Sequence, residues 1–425
     1  MSSTIPAELA ATIADPKAYQ LQAPVDEAFA AIRRDYPLAV AHVEGFDPFW
    51  VVSRHADILQ VEQDAETFHN GDRSTLLLAK DACELIRQFA NGEANSNRSL
   101  VHTDGKEHRD LRSVTFKHFT PPNVRKLEGK IREIARGFVD QMLAKAPECD
   151  FAQDVAFLYP MRVIMTVLGV PPEDEALMLK LTQEVFSPND PDLNRQGAEV
   201  SLLEAQAAFN QTMLDLEDYF EKVTEKFRAN PADNVNSLIA NAQINGEYLT
   251  HRQVMGYYII AATAGHDTTS NNIAGALWAL AERPELLAQL QADPGAIGSF
   301  VEESIRWVTP VKHFMRTATC DTQVNGVEIA KGDWLMLAYQ SANRDEAVFD
   351  KPFEFDITRK PNNHAAFGYG RHVCLGQHLA RLEMQILWEE LLPRLQSVEL
   401  AGEPKLTRSS FVCGPKSVPV RFTVK

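Results

Sequence analysis

The chain has 425 residues, 45% hydrophobic and 24% charged, so it can bury a large core and does not have the composition of a disordered chain. Its formal net charge of −16 and pI near 5.3 exclude binding to nucleic acid or to an anionic membrane surface through overall charge, although a local basic patch remains compatible with them. Five cysteines, Cys83, Cys149, Cys320, Cys374 and Cys413, are odd in number and scattered without a CxxC pair, which suggests neither a disulfide framework nor a zinc site.

The first residues, MSSTIPAELAATIADPKAYQ, lack the basic start and sustained apolar stretch of a secretory leader. PFWVVSRHADILQVEQ at 48–63 reads as a strand followed by a helix. Helical periodicity runs through 124–143 and 202–227, and Thr250 is a plausible cap for a long helix ending before Pro284. That helix would have roughly 33 residues and a length on the order of 50 Å, enough to cross a domain. Its most apolar part, YYIIAATAG at 257–265, runs straight into HDTTSNN, so it falls short of the roughly 18 apolar residues of a membrane span. VNGVEIAKGDWLMLAYQSANRD at 324–345 reads as short paired strands around Gly326 and Gly332. With no internal repeat and no Gly/Ser linker, one domain spanning residues 1–425 is expected, mainly α with small β-sheets, and a soluble cytoplasmic monomer.

Three stretches carry chemistry. In FGYGRHVCLGQHLAR, 367–381, the glycines Gly368, Gly370 and Gly376 surround Cys374, and the residues after it have helical periodicity. A cysteine at a helix N-terminus is expected to have a lowered thiol pKa and to serve as nucleophile or metal ligand. His372 and His378 are near, but no cysteine-protease or redox signature frames them. In AATAGHDTTSNN, 261–272, Asp267 and Thr268 are poor helix formers between apolar turns, which favours a kink. In EESIRW, Glu303 and Arg306 lie three apart on one helix face, where an ordinary surface pair would contribute little.

The pattern F-G-x-G-x-H-x-C-x-G resembles the haem-binding loop of the cytochrome P-450 haem-thiolate monooxygenases, and the resemblance extends over most of the chain. It implies the family's mostly helical fold, haem b (iron protoporphyrin IX) as cofactor, Cys374 as iron ligand with Phe367 near its sulfur, and Gly368 and Gly376 in the cofactor loop. It further implies that His108, Arg112, Arg316 and His372 receive the haem propionates, and that Glu303, Arg306 and Arg359 form a structural triad. Asp267 and Thr268 match the family's acid-alcohol pair, which delivers protons to dioxygen; His266, in the variable slot, is expected to make an interhelical or solvent contact. The pocket is expected between residues 69–103, 176–215, the long helix, the segment after Arg306 and the turn near Phe411. Its expected walls are Ile260, Thr263, Ala264, Val311, Phe314, Phe411 and Val412.

IRWVTPVKHFMRTA and SANRDEAVF are especially similar to bacterial members that hydroxylate monoterpenoids such as terpineol, and to relatives acting on alkylaromatics. The implied function is O2-dependent hydroxylation of a small to medium hydrophobic substrate, with electrons from a separate ferredoxin and ferredoxin reductase. A peroxide-driven peroxygenase and a haem-binding sensor are the alternatives; the acid-alcohol pair counts against both. A local basic patch formed from Arg109, Arg112, Lys117, Arg125, Lys126 and Arg371 is expected on the cysteine side, with Arg112 assigned to the haem and Arg109, Lys117 and Arg371 to the partner.

Overall fold

Phe49–Val52 is buried at all four positions, as expected of a strand flanked on both edges and covered on both faces. Leu38–Ala41 pairs with it antiparallel and Trp334–Ala338 pairs parallel on the other side. His313–Ala318 and then Phe68–His69 complete a five-stranded sheet. The structure is a computed structural model, and it describes residues 3–425, without the side chain of Leu202. The strand at 49–52 leads directly into the helix His55–Gln63, as the sequence predicts. Thr322–Val324 and Val327–Ile329 form a hairpin through Asn325 and Gly326, whose φ of 49° and 76° suit a two-residue turn.

Helices form most of the remainder around an apolar core in which Trp388 stacks on Phe151 and meets the edge of Phe300. Leu202–Ala229 begins with a capping box made by Ser201 and Glu204. The periodic stretch from 124 divides into Pro121–Arg125 and Glu128–Leu143. Thr250 caps the expected long helix, in a capping box with Gln253.

That helix is not continuous. It runs His251–Ala264, breaks at Gly265 and His266, and resumes as Asp267–Ala281. The His266 N–H turns back to the Thr263 carbonyl at 3.4 Å, and the His266 ring is fully buried. A Cβ on Gly265 would stand 2.7 Å from Cγ1 of Ile164, so the break is packed closely against the Leu158–Leu168 helix. No helix among the described residues is long and apolar enough to cross a membrane.

Candidate active site

Cys374 lies just before the Gln377–Leu391 helix, which Gly376 caps. Its N–H closes the loop onto the Phe367 carbonyl at 2.8 Å. Gly368 and Gly370 adopt φ of 67° and 66°, the left-handed region that favours glycine. A Cβ on Gly370 would also lie 2.3 Å from the Glu62 carbonyl oxygen, so the loop rests directly on the end of the His55–Gln63 helix. Gly376 differs: its φ is −82° and a Cβ there would meet nothing within 4 Å. The turn itself therefore does not require glycine at 376; the missing side chain keeps the open side of the helix end clear. Phe367 is covered by the Arg381 guanidinium, 4.4 Å from its ring centroid.

The helix-end expectation for the thiol is reversed. Burial pushes Cys374 up from its ordinary value, and this outweighs the Gly376 amide, Arg112, Arg381 and the Gln377 amide, which pull it down. A metal ion on the sulfur would restore the thiolate, because a coordinated thiol is deprotonated outright.

Beside this loop is a cluster of cations and imidazoles. Arg112, on the Gly105–Phe116 helix, donates to the Val373 carbonyl at 2.7 Å, and among the described residues no carboxylate pairs with it. His108, one turn earlier on the same face, is buried, and its Nε2 has no hydrogen-bond partner. Its ring lies 4.0 Å from that of His372, tilted by 30°. Burial, reinforced by neighbouring arginines, lowers His108 to about 4 and His372 to about 2, so both are neutral near pH 7. Arg316, on the His313–Ala318 strand, is also buried, but it already contacts Glu62 Oε1 at 3.3 Å. A half-buried arginine without an acid and an orphaned imidazole nitrogen are suited to the carboxylates of a bound group. The donor set therefore fits haem, with the sulfur of Cys374 at one end of the cluster.

At the break in the central helix, Asp267 is buried, with Oδ1 3.4 Å from His266 Nδ1 and Oδ2 unpartnered. His266 makes an interhelical contact, its Nε2 lying 2.8 Å from the Phe157 carbonyl, and no role at a metal is indicated. Thr268 is half-exposed and donates to the Ala264 carbonyl at 3.0 Å. Ile260 and Ala264 share a face of the first segment that is not closed by packing, and Thr268, bonded back to Ala264, continues it past the break. Thr263, expected on the pocket wall, falls on the other side: it is buried, and its hydroxyl donates to the Ile259 carbonyl at 2.7 Å. Val412 is also buried and forms a backbone bridge with Val311. Val311, Phe314 and Phe411 remain half-exposed, and Phe314 and Phe411 meet edge to face at 5.3 Å. Phe186, which sequence reasoning missed, packs against Phe411 at 6.1 Å.

Glu303 and Arg306 are fully buried and joined by two hydrogen bonds of 2.8 and 2.7 Å. Arg306 also donates to the carbonyls of Asn343, Pro352 and Glu354. Arg359 brings its Nε to 3.5 Å from Glu303, while the Asp356 amide and the Asn362 side chain donate to the same carboxylate. The next-door Glu302 was not anticipated. It accepts from Arg381 and contacts His364, and although burial opposes its charge, these partners hold it down at about 2. Two consecutive acids thus anchor the segment on both sides of Cys374.

The profile of the cytochrome P-450 family matches residues 84–422. The chain is 46% identical over 422 residues to cytochrome P-450-terp of a Pseudomonas species, covering 99% of each protein. It is 31% identical over 408 residues to the methyl-branched lipid omega-hydroxylase of Mycobacterium bovis, covering 94% of this chain and 91% of that protein. The crystal structure of CYP108D1 from Novosphingobium aromaticivorans superposes with a TM-score of 0.92 at 43% identity, with 100% of each chain covered. With a matching profile over most of its length and the same fold throughout, the chain belongs to the cytochrome P-450 family of haem-binding monooxygenases.

Proposed function

We propose that this chain hydroxylates a small to medium hydrophobic compound, using O2 and two electrons delivered by a separate ferredoxin and its reductase. The observation that carries this reading is Arg112, a guanidinium without an acid that donates to Val373, the residue next to Cys374. It joins a site for an anionic cofactor to the only cysteine framed by a glycine loop. Cys374 is the iron ligand in this reading, and Arg112, Arg316, His108 and His372 receive the cofactor's carboxylates. Haem, when bound, supplies the activation of O2: one oxygen atom enters a C–H bond of the substrate and the other leaves as water, with two electrons and two protons consumed.

The chain's own residues handle substrate and protons. Ile260 and Ala264, with Val311, Phe314 and Phe411, offer an apolar surface that orients the substrate and excludes water. The Thr268 hydroxyl gives its proton to Ala264, so toward its exposed side it presents an acceptor that can steady a proton-bearing group. Asp267, next to it with one free carboxylate oxygen, holds and passes protons. The apolar walls, and the resemblance of 305–318 and 341–349 to monoterpenoid hydroxylases, make terpineol and related monoterpenoids the first substrates to test.

The test is spectral. The reduced holoprotein should give the carbon monoxide spectrum of a thiolate-ligated haem, and Cys374→Ser should abolish it along with oxygenase activity, because a hard oxygen replaces an electron-donating sulfur. A serine variant that keeps that spectrum would refute the assignment. Titration with terpineol and a panel of alkylaromatics should then shift the haem spectrum of the wild type as substrate displaces water from the iron.

A further inference from the structure

Glu62 is a buried acid that no part of the proposed reaction uses. It sits at the end of the His55–Gln63 helix with its side chain 1% exposed. Oε1 accepts from the Tyr339 hydroxyl at 2.6 Å and from Arg316 at 3.3 Å, while Oε2 has no hydrogen-bond partner. A Cβ on Gly368 would stand 3.2 Å from Oε1, and one on Gly370 would stand 2.3 Å from the Glu62 backbone oxygen. The carboxylate therefore lies against the cysteine loop on one side and on Arg316, which the proposed function assigns to the haem carboxylates, on the other.

We propose that Glu62, by sharing Arg316 with the haem carboxylate, takes up a proton from solvent as the bound haem accepts an electron. This rests on the haem site proposed above. The step balances: one electron from the one-electron donor converts ferric to ferrous iron, and one proton converts the Glu62 carboxylate to the acid. Added negative charge at the haem draws on the same arginine and raises the proton affinity of the acid that shares it. Glu62 is poised for this, since burial raises its pKa while Arg316, Tyr339 and the Tyr369 backbone pull it down.

Other charged and titratable groups face Glu62 from each element packed around it. Arg316 comes from the His313–Ala318 strand and Tyr339 from the short Tyr339–Ala342 helix; burial raises Tyr339 well above its ordinary value. The Gly370–His372 turn brings Arg371, which is ion-paired with Glu66, and His372, whose Nε2 lies 3.8 Å from Asp104 Oδ1 and whose Nδ1 faces the Asn70 amide at 3.4 Å. The Thr322–Val324 strand brings Gln323 to Gln60. On the Glu62 helix itself, His55 contacts the Asn363 carbonyl, and Asp57 is a second buried acid, raised by burial and subject to Arg54 and Asp345.

The experiment is spectroelectrochemical titration of the holoprotein from about pH 6 to about pH 9. In the wild type the ferric/ferrous midpoint potential should fall as pH rises, since proton uptake favours reduction in acid. Glu62→Gln should remove that dependence and hold the potential near the wild-type acid value, because the amide resembles the protonated acid. Retention of the wild-type slope in Glu62→Gln would assign the proton to the haem carboxylates or to Asp57 and overturn the proposal, as would a wild type without a slope. If Glu62→Gln does not load haem, Tyr339→Phe provides the test: losing its hydroxyl raises the proton affinity of Glu62, and the falling limb should move to higher pH. An unmoved limb would be equally fatal. The thiolate carbon monoxide spectrum, recorded on every variant, separates failure of this proposal from failure of the haem site itself.

Discussion

Thr268 and Glu303 show how burial decides what a polar side chain does. Thr268 is half-exposed and its hydroxyl makes one local bond, back across the break to the Ala264 carbonyl, so Thr268→Ala should leave the fold and haem loading intact. What it removes is the hydroxyl acceptor that the proposed function uses in proton delivery. The variant should consume reducing equivalents at a rate near that of the wild type but release peroxide in place of hydroxylated product, which is measured as the ratio of product to electrons used; an unchanged ratio would remove Thr268 from the chemistry. Glu303 is the opposite case, fully buried and holding Arg306, the Asp356 amide and Asn362 together. Glu303→Leu strands the Arg306 charge in the core, and breaking a buried pair this way costs about 3–5 kcal/mol. Denaturant unfolding should register that loss, with haem retention falling alongside stability, whereas activity per remaining haem should change little.

At the scale of elements, His313 shows what local sequence does not reveal. It sits on a strand, yet its Nε2 accepts from the Leu77 amide at 3.1 Å and its Nδ1 donates to the Ser410 carbonyl at 3.0 Å, so one neutral ring pins three distant segments. Burial, set against the Ser410 carbonyl, lowers it from 6.5 to about 4. The unfolded chain therefore binds a proton that the folded chain refuses between pH 6.5 and about 4. This contribution to stability is full above 6.5 and is lost as pH falls through that window, by about 1.4 kcal/mol per pH unit. His313→Gln, which can accept and donate in the same places but does not titrate, should lack it. Its stability relative to wild type should improve by about 2 kcal/mol between pH 7.5 and pH 5, as read from denaturant midpoints. The cysteine loop, the E-x-x-R helix and the Asp267–Thr268 pair were legible because each is a local pattern within one element. Glu62 and Arg316 stand 254 positions apart, and nothing in either neighbourhood signals the other. The break at Gly265 and His266 was legible as a kink but not as an end of a helix. Apolar residues surround both halves, so no loss of periodicity marks where one stops.

For the whole molecule the informative contrast is between a net charge of −16 and the face formed by the Gly105–Phe116 helix and the turns after it. Arg109, Lys117, Arg125 and Lys126 are exposed there, and among the described residues none of them has an ion-pair partner. Phe116, next to Lys117 in the chain and seven residues after Arg109 on the same helix, is 51% exposed and adds an apolar contact to this stretch. Arg371, expected to serve the partner as well, is instead paired with Glu66 and is the weaker candidate. Arg112, on the inner face of the same helix, reaches the residue beside Cys374, so this helix connects the surface to the site. An acidic iron-sulfur protein steered to this face would deliver electrons near the thiolate through a modest interface. Exposed charge pairs weaken as ionic strength rises above roughly 0.1 M, whereas the partly buried Arg112 responds little. The rate of first electron transfer from reduced ferredoxin should therefore fall several-fold in Arg109→Glu and Lys117→Glu at low salt. It should converge with the wild-type rate at high salt, with haem content normal throughout. Glu66→Gln frees Arg371 and should raise that rate slightly under the same low-salt conditions. Charge reversals at 109 and 117 that leave both the rate and its salt dependence unchanged would place the docking face elsewhere.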